Sequence, residues 1–246
     1  LGIGHWALGG IGQWVFGHWA LGIGRHWALG SGHWAVGIGH ALAVAITLDD
    51  VRAASRTVEG VRQHWKEIPI FVASTGPQVL NLAGCIADGV LFSGGLSIPF
   101  TKRCAGLADE GVAQAGRKTE DVRKAGFVYF ACSEDSQTAI DLNKRKLAFL
   151  FRSSAQVDNI NSIDVPIDHE AIMELVERRE LDKAAQLIPT EAVQQFSVAG
   201  NPDECRAGIQ AYIDAGVDEP VIEVSGDEEN KRLALEVIRE FTGGAA

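Results

Sequence analysis

The chain has 246 residues, of which 46% are hydrophobic, and a formal net charge of −10. A chain of this length can bury one large hydrophobic core. Its acidic balance argues against nucleic acid and anionic membranes as partners, because both carry negative charge. The four cysteines form no CxxC pair, which predicts buried thiols in a cytoplasmic protein rather than a disulfide framework or a zinc site.

The first part of the chain is an internal repeat. The pentapeptide HWALG begins at His5, His18 and His26, and variants of it begin at Gln13 and His33. Twelve glycines in the first 39 residues disfavour a helix and predict short strands separated by glycine turns. They also argue against a signal peptide and a membrane-spanning helix. Five tryptophans in this stretch would expose much apolar surface unless they pack against something.

The composition changes near residue 48. We place a boundary between residues 1–48, a Gly/Trp/His-rich repeat segment, and residues 49–246, which have a mixed composition. Acidic residues followed by apolar residues three and four apart predict a helix over 49–66. The stretch "IPIFVAS" then predicts a strand, Gly76 a turn and Pro77 the start of a helix, after which "VLFSGG" is the next strand.

Strands and helices continue to alternate toward the C terminus. A helix follows over "IPFTKRCAGLADEGVAQAG", then a strand over 125–132 and a helix for which Ser133 is the expected N-cap. A helical insert is predicted over about 152–196, with Thr190 as the cap of its last piece. Asn201 and Glu204 form a predicted capping box before the strand "EPVIEVS" and the closing helix. This alternation predicts an α/β fold with a parallel sheet and right-handed crossovers.

Three of these stretches resemble the second half of proteins in the luciferase-like monooxygenase family. They are "IPIFVASTGPQVLNLAGCIADGVLFSGG", "AGFVYFAC" and "LIPTEAVQQFSVAGNPDECRAGIQAYIDAGVDEPVI", and the resemblance, strongest to the deazaflavin-dependent branch, covers residues 68–242. It implies a (β/α)8 TIM-barrel type of α/β fold, incomplete here, with strands four or five to eight and a helical insert before the last strand. It further implies a homodimeric oxidoreductase that uses coenzyme F420 or FMN for hydride transfer to, or monooxygenation of, a small organic substrate.

Two loops are the candidate cofactor site. The loops after barrel strands form the active face, and glycine lets backbone amides approach a phosphate closely. Judged from their residues alone, loops of this composition are more often simple tight turns, whereas the resemblance favours cofactor binding. The stretch "LGIGR" at 21–25 is similar to the family's fourth-strand segment, and "VGIG" at 36–39 is a near copy of it. The cofactor-binding candidates are therefore Ala73, Ser74, Thr75, Gly76, Ser93, Gly94 and Gly95, together with Gly37 and Gly39.

No side chain is assigned a catalytic role, because the sequence has no Ser/His/Asp set, no HExxH and no Walker loop. The repeat histidines lack a ligand spacing with acids or thiols nearby, so no metal site is predicted. Three functions stay open at this point. The chain is an oxidoreductase of this family, a noncatalytic remnant that binds the cofactor, or a Trp/His-rich interaction module on a barrel fragment.

Overall fold

The computed structural model describes residues 33–38, 41–46, 59–60, 63 and 69–242. Residues 59, 60 and 63 are helical, and the rest of the helix predicted over 49–66 lies outside the described residues. The described residues contain seven strands in one sheet. They are β1 His33–Ile38, β2 Ala41–Ile46, β3 Ile70–Ala73, β4 Gly89–Phe92, β5 Arg123–Cys132, β6 Val198–Gly200 and β7 Glu219–Ser225.

The sheet is parallel except at its first pair. β1 and β2 are antiparallel, and β2, β3, β4 and β5 then pair in that order as parallel strands. β5 also pairs with β6 through its last residues and with β7 along most of its length. Within the described part of the chain no pairing joins β7 to β1, so the sheet is open. Since β1 and β2 precede residue 49 and belong to this sheet, the boundary at residue 48 stays a prediction.

Nine α-helices lie within residues 69–242. They are α1 Pro77–Ile86, α2 Ile98–Gln114, α3 Ser136–Leu150, α4 Val157–Ile160, α5 His169–Glu177, α6 Leu181–Gln186, α7 Thr190–Phe196, α8 Pro202–Asp214 and α9 Glu228–Phe241. In the described ranges, no helix is long and apolar enough to cross a membrane.

The two faces of the sheet have different coverings. One face carries Val72, Phe92 and Phe130, which are buried in a core with residues from α1, α2, α8 and α9. The opposite face, which we call the inner face, carries Phe71, Leu91 and Tyr129. Helix α3 and the helical insert, α4 to α7, build a second core together and pack it against the inner face near Tyr129. The insert therefore covers the end of the inner face where the strands terminate.

The helix ends confirm one predicted cap and correct two. Asn201 caps α8 and forms the predicted capping box with Glu204. Ser133 is not the N-cap of α3, because its amide donates to the carbonyl of Gly200 (3.1 Å) and continues the sheet; Asp135 is the cap instead. Thr190 is the first residue of α7, not its cap. The residue before it is an extended proline whose carbonyl accepts the first helical hydrogen bonds.

Helices α1 and α2 approach each other through glycines. A Cβ atom at Gly84 would overlap the carbonyl oxygen of Ala108, and one at Gly111 would overlap the carbonyl oxygen of Asn81. Arg117 adds a hydrogen bond from its guanidinium to the carbonyl of Gly84 (2.8 Å). Because α1 and α2 begin directly after the loops that follow β3 and β4, this close contact fixes the spacing of those two loops.

Candidate functional site

The two predicted cofactor loops lie side by side. They follow β3 and β4, which are neighbouring parallel strands, so both loops leave the same edge of the sheet. The amide of Ser74 donates to the carbonyl of Leu91 (3.3 Å), which ties the first loop to the end of β4. The amide of Gly76 donates to the hydroxyl of Ser74 (3.0 Å) and closes a tight turn. These two amides of the first loop are therefore already satisfied within the protein.

The N-terminus of α1 offers free donors beside this loop. Its N-cap, Gly76, has no side chain to accept a hydrogen bond, and Pro77 at the first helical position has no amide hydrogen. The amides of Gln78 and Val79 form no hydrogen bond within the described part of the chain, but Val79 is fully buried, so only the amide of Gln78 is accessible. By contrast, α2 is capped by Ser97, whose hydroxyl accepts from the amide of Phe100 (3.1 Å). The uncapped end of α1 thus carries partial positive charge that a bound anion can neutralise.

The second loop is a glycine turn packed on an aromatic ring. A Cβ atom at Gly94 would lie 3.0 Å from the ring of Tyr129, and one at Gly95 would overlap the side chain of Leu150. Gly95 also has a left-handed φ of 70°, which glycine adopts without strain. Among the described residues, the amides of both glycines have no hydrogen-bond partner. The turn is therefore a second set of free donors, held against Tyr129.

A charged pair lies beside this ring. The ammonium of Lys146, from α3, forms an ion pair with Glu223 of β7 and lies 5.3 Å from the ring centroid of Tyr129. Tyr129 and Glu223 are register partners on adjacent strands. The side chains of Lys146 and Glu223 are 30% and 23% exposed, so both are accessible to a ligand.

Electrostatics keep Tyr129 protonated. Burial raises the pKa of Tyr129, and the Glu223 carboxylate raises it further, while the charge of Arg152 acts in the opposite direction. Nearby, Asn143 of α3 donates to the carbonyl of Val198 (3.4 Å) and accepts from the hydroxyl of Ser225 (3.1 Å). At neutral pH the cluster therefore presents a phenol and an ammonium group at the carboxyl end of the sheet.

The structure brings seven of the nine sequence-predicted residues together. Ala73 ends β3 and Ser74, Thr75 and Gly76 follow it, while Ser93, Gly94 and Gly95 follow β4. Gly37 lies within β1, opposite Leu42, and β2 separates it from β3. Gly39 lies outside the described residues, so the roles of these last two glycines stay predictions. In the part of the chain that the structure describes, no group of three or more His, Cys, Asp or Glu side chains is arranged to hold a metal ion.

The sequence reasoning missed Tyr129, Lys146 and Glu223. Local patterns place Glu223 on a strand face and Lys146 on a helix face, although they do not bring the three residues together. In "EPVIEVS" the residues alternate, which places Glu223 on the same face as Val221. In α3, Lys146 follows Asn143 by three residues and precedes Leu150 by four, so all three lie on one helical face.

Comparison with known proteins supports this assignment of the fold. The family model for luciferase-like monooxygenases matches residues 42–219. A 5,10-methylenetetrahydromethanopterin reductase from Methanopyrus kandleri is 30% identical over 197 residues, which cover 78% of this chain and 54% of that protein. An F420-dependent glucose-6-phosphate dehydrogenase from Rhodococcus erythropolis is 29% identical over 170 residues, covering 68% of this chain and 46% of that protein.

A solved structure agrees with these sequence matches. The coenzyme F420 dependent tetrahydromethanopterin reductase from Methanopyrus kandleri has a TM-score of 0.62 at 26% identity, covering 72% of this chain and 52% of that one. The chain spans about half the length of the curated relatives it matches. Its open parallel sheet is an incomplete α/β barrel with a helical insert before the last strand, as the sequence predicted. The chain therefore belongs to the luciferase-like monooxygenase family.

Proposed function

We propose that this chain is the cofactor-binding part of an oxidoreductase that uses coenzyme F420 or FMN. One observation carries the proposal: two sets of free backbone amides lie next to each other at the carboxyl ends of β3 and β4. One set belongs to the N-terminus of α1 and the other to the turn at Gly94 and Gly95. The names of the relatives, two of which specify F420, support the choice of cofactor.

The donor set fits the phosphate group of either cofactor. A phosphate needs several N–H donors that converge, and both a helix N-terminus and a glycine turn supply them. A Cβ atom at Gly95 would overlap Leu150, and one at Gly94 would press against the ring of Tyr129 (3.0 Å), so the turn favours glycine at both positions. The amides of Ser74 and Gly76 are already bonded and serve to shape the first loop. We assign phosphate binding to the amides of Gln78, Gly94 and Gly95.

When bound, the deazaflavin or flavin ring supplies the hydride chemistry. The side chains near it supply orientation and protons. Tyr129 stays neutral because burial and Glu223 raise its pKa, so its hydroxyl can donate a hydrogen bond to a carbonyl oxygen of the ligand. The ammonium of Lys146, paired with Glu223, can hold an anionic or carbonyl group of a small organic substrate.

The direct test replaces Gly94 by Val and measures the affinity for F420 and for FMN by absorbance titration. A branched side chain placed 3.0 Å from the Tyr129 ring must displace either the ring or the turn, so we expect the Kd to rise at least about tenfold. Gly106→Ala on α2 is the control, because a Cβ atom there meets nothing within 4 Å. Unchanged affinity of a folded Gly94→Val variant for both cofactors contradicts the phosphate assignment.

Two further measurements separate the functions left open by the sequence. If titration shows that the chain binds neither F420 nor FMN, the oxidoreductase and the cofactor-binding remnant are both excluded, and the interaction module is left. Reduction of the bound cofactor by candidate donors then distinguishes an oxidoreductase from a remnant that only binds.

We also propose a homodimer that acts in the cytoplasm on a small organic substrate. The acidic composition and the free cysteines support a cytoplasmic location, since free thiols persist in a reducing compartment. The relatives named above, whose names denote reactions of small molecules, support the substrate class. Light scattering after size-exclusion chromatography tests the dimer, and a monomeric mass at high protein concentration contradicts it.

A further inference from the structure

We infer that Asn159, a buried residue of the helical insert, is a positioning residue for the glycine turn that receives the cofactor. The inference rests on the proposed function of that turn. It concerns the connection between α4 and the loop that follows β4, two segments more than 60 residues apart in the sequence.

Asn159 holds the loop at two points. Its side-chain oxygen accepts from the amide of Ser97 (2.9 Å), and its side-chain nitrogen donates to the carbonyl of Gly95 (3.0 Å). The same nitrogen donates to the side-chain oxygen of Gln156 (2.9 Å). These partners fix the orientation of the amide, because a flipped side chain would place oxygen against oxygen at Gly95 and nitrogen against nitrogen at Ser97. Asn159 is 2% exposed, so water cannot replace these bonds.

A hydroxyl pair makes a second connection between the same segments. The hydroxyl oxygens of Ser97 and Ser162 are 2.5 Å apart, and the Ser162 hydroxyl donates to the carbonyl of Asn159 (2.6 Å). Because Ser162 has only one hydroxyl hydrogen, Ser97 must be the donor between the two serines. The hydroxyl oxygen of Ser97 then still accepts from the amide of Phe100, and this hydrogen bond caps the start of α2. All of these hydrogen bonds are mutually compatible.

The hydrogen bonds from Asn159 to the loop, which we call the Asn159 clamp, leave the binding side of the turn free. It contacts the carbonyl of Gly95 and the amide of Ser97, and it does not contact the amides of Gly94 and Gly95. The left-handed backbone at Gly95 is therefore held in place from the insert side before any ligand arrives. A loop that is already ordered loses less entropy on binding, which raises affinity. The next residue, Ile160, is buried in the core of the insert, so the insert itself supports the turn.

Two variants test the clamp. Asn159→Asp keeps the shape but replaces both N–H donors by an oxygen that faces the carbonyl of Gly95. Asn159→Leu keeps the approximate volume and removes every hydrogen bond of the side chain. We expect each to raise the Kd for F420 or FMN at least about tenfold, which corresponds to about 1.4 kcal/mol. We also expect faster hydrogen exchange within residues 94–97 of the ligand-free protein, above all at the amide of Ser97, whose acceptor is the side chain of Asn159.

The matched control is Ser197→Ala. Ser197 is 1% exposed and donates to the carbonyl of Val193 (2.7 Å), so the variant also removes a buried hydrogen bond, but one that does not contact the turn. We expect it to lower the free energy of unfolding without changing the Kd or the exchange at 94–97. Should the Asn159 variants fail to fold, Ser162→Ala breaks only the hydroxyl connection and is expected to raise the Kd about threefold, by loss of part of one hydrogen bond.

The outcomes separate this inference from the proposed function. If the wild-type chain binds neither cofactor, the proposed function is wrong, and exchange at residues 94–97 still shows whether Asn159 orders the turn. If the wild-type chain binds and folded Asn159→Asp binds equally tightly with unchanged exchange, the positioning role of Asn159 is wrong. If Ser197→Ala weakens binding as much as Asn159→Leu does, the effect is one of general stability, and the inference is again wrong.

Discussion

Replacing Gly111 by Ala tests the close contact between α1 and α2. The new Cβ atom would overlap the carbonyl oxygen of Asn81 and lie 2.7 Å from its carbonyl carbon. These are backbone atoms, so a side-chain rotation cannot relieve the overlap and the helices must move apart. Gly106→Ala is the matched control, because it is the same substitution in the same helix with nothing within 4 Å of the new atom.

The two variants should change stability in opposite directions. Alanine stabilises a helix interior by about 1 kcal/mol relative to glycine, and this gain applies at both positions. Overpacking a close contact costs about 1–3 kcal/mol, and a backbone overlap belongs in the upper part of that range. We therefore expect Gly111→Ala to lower the free energy of unfolding by about 1–2 kcal/mol and Gly106→Ala to raise it by up to about 1 kcal/mol.

Urea unfolding followed by circular dichroism measures both changes. The midpoint should move down for Gly111→Ala and up for Gly106→Ala, with the same slope. A cofactor titration adds a functional readout, because α1 and α2 begin at the two loops of the site and their separation moves those loops apart. A midpoint that moves up for Gly111→Ala as well would refute the reasoning, since helix propensity alone would then explain the data.

Two further predictions concern titratable groups. Glu223→Gln should lower the pKa of Tyr129, because a negative charge beside the phenol disfavours tyrosinate. Near-ultraviolet absorbance measures this ionisation. The chain has two tyrosines, and burial raises the pKa of Tyr212 well above its ordinary value, so Tyr212→Phe shows which signal belongs to Tyr129. An unchanged titration curve contradicts the electrostatic coupling. Burial raises the pKa of Cys104 to about 12, so this thiol should resist alkylation at neutral pH until the protein unfolds. Mass spectrometry of alkylated peptides checks it, and rapid native labelling of Cys104 contradicts the prediction.

The fold could be predicted where the local sequence carries its own signal. β3, β4 and β7 are short apolar runs with glycine or proline at or near an end, β5 contains the aromatic run FVYF, and α8 begins with a complete capping box. β6 was missed because it has only three residues and directly follows a helix. The cap of α3 was misplaced because Ser133, Asp135 and Ser136 are all good caps. Only the pairing of Ser133 with Gly200, about 70 residues away, decides between them.

The site was predictable in part for the same reason. Glycine and serine directly after a strand mark a loop at the carboxyl edge of a parallel sheet, so the loops at 73–76 and 93–95 were found from the sequence. The cluster of Tyr129, Lys146 and Glu223 depends on how the helical insert lies across the inner face, which no local pattern specifies. The Asn159 clamp has the same origin, because it joins two segments by tertiary contacts alone.

The inner face itself limits where a polar ligand can bind. At the amino end of β5, Arg123 forms an ion pair with Glu219 (2.8 Å) and stacks 4.8 Å from the ring centroid of Phe71. Next comes an apolar band, with Leu91 and Ala125 almost fully buried. A charged group in that band would lose its hydration without gaining a partner. The phenol, the ammonium and the free amides lie beyond it, at the carboxyl end. We therefore expect a phosphate-bearing cofactor to bind at that end of the inner face.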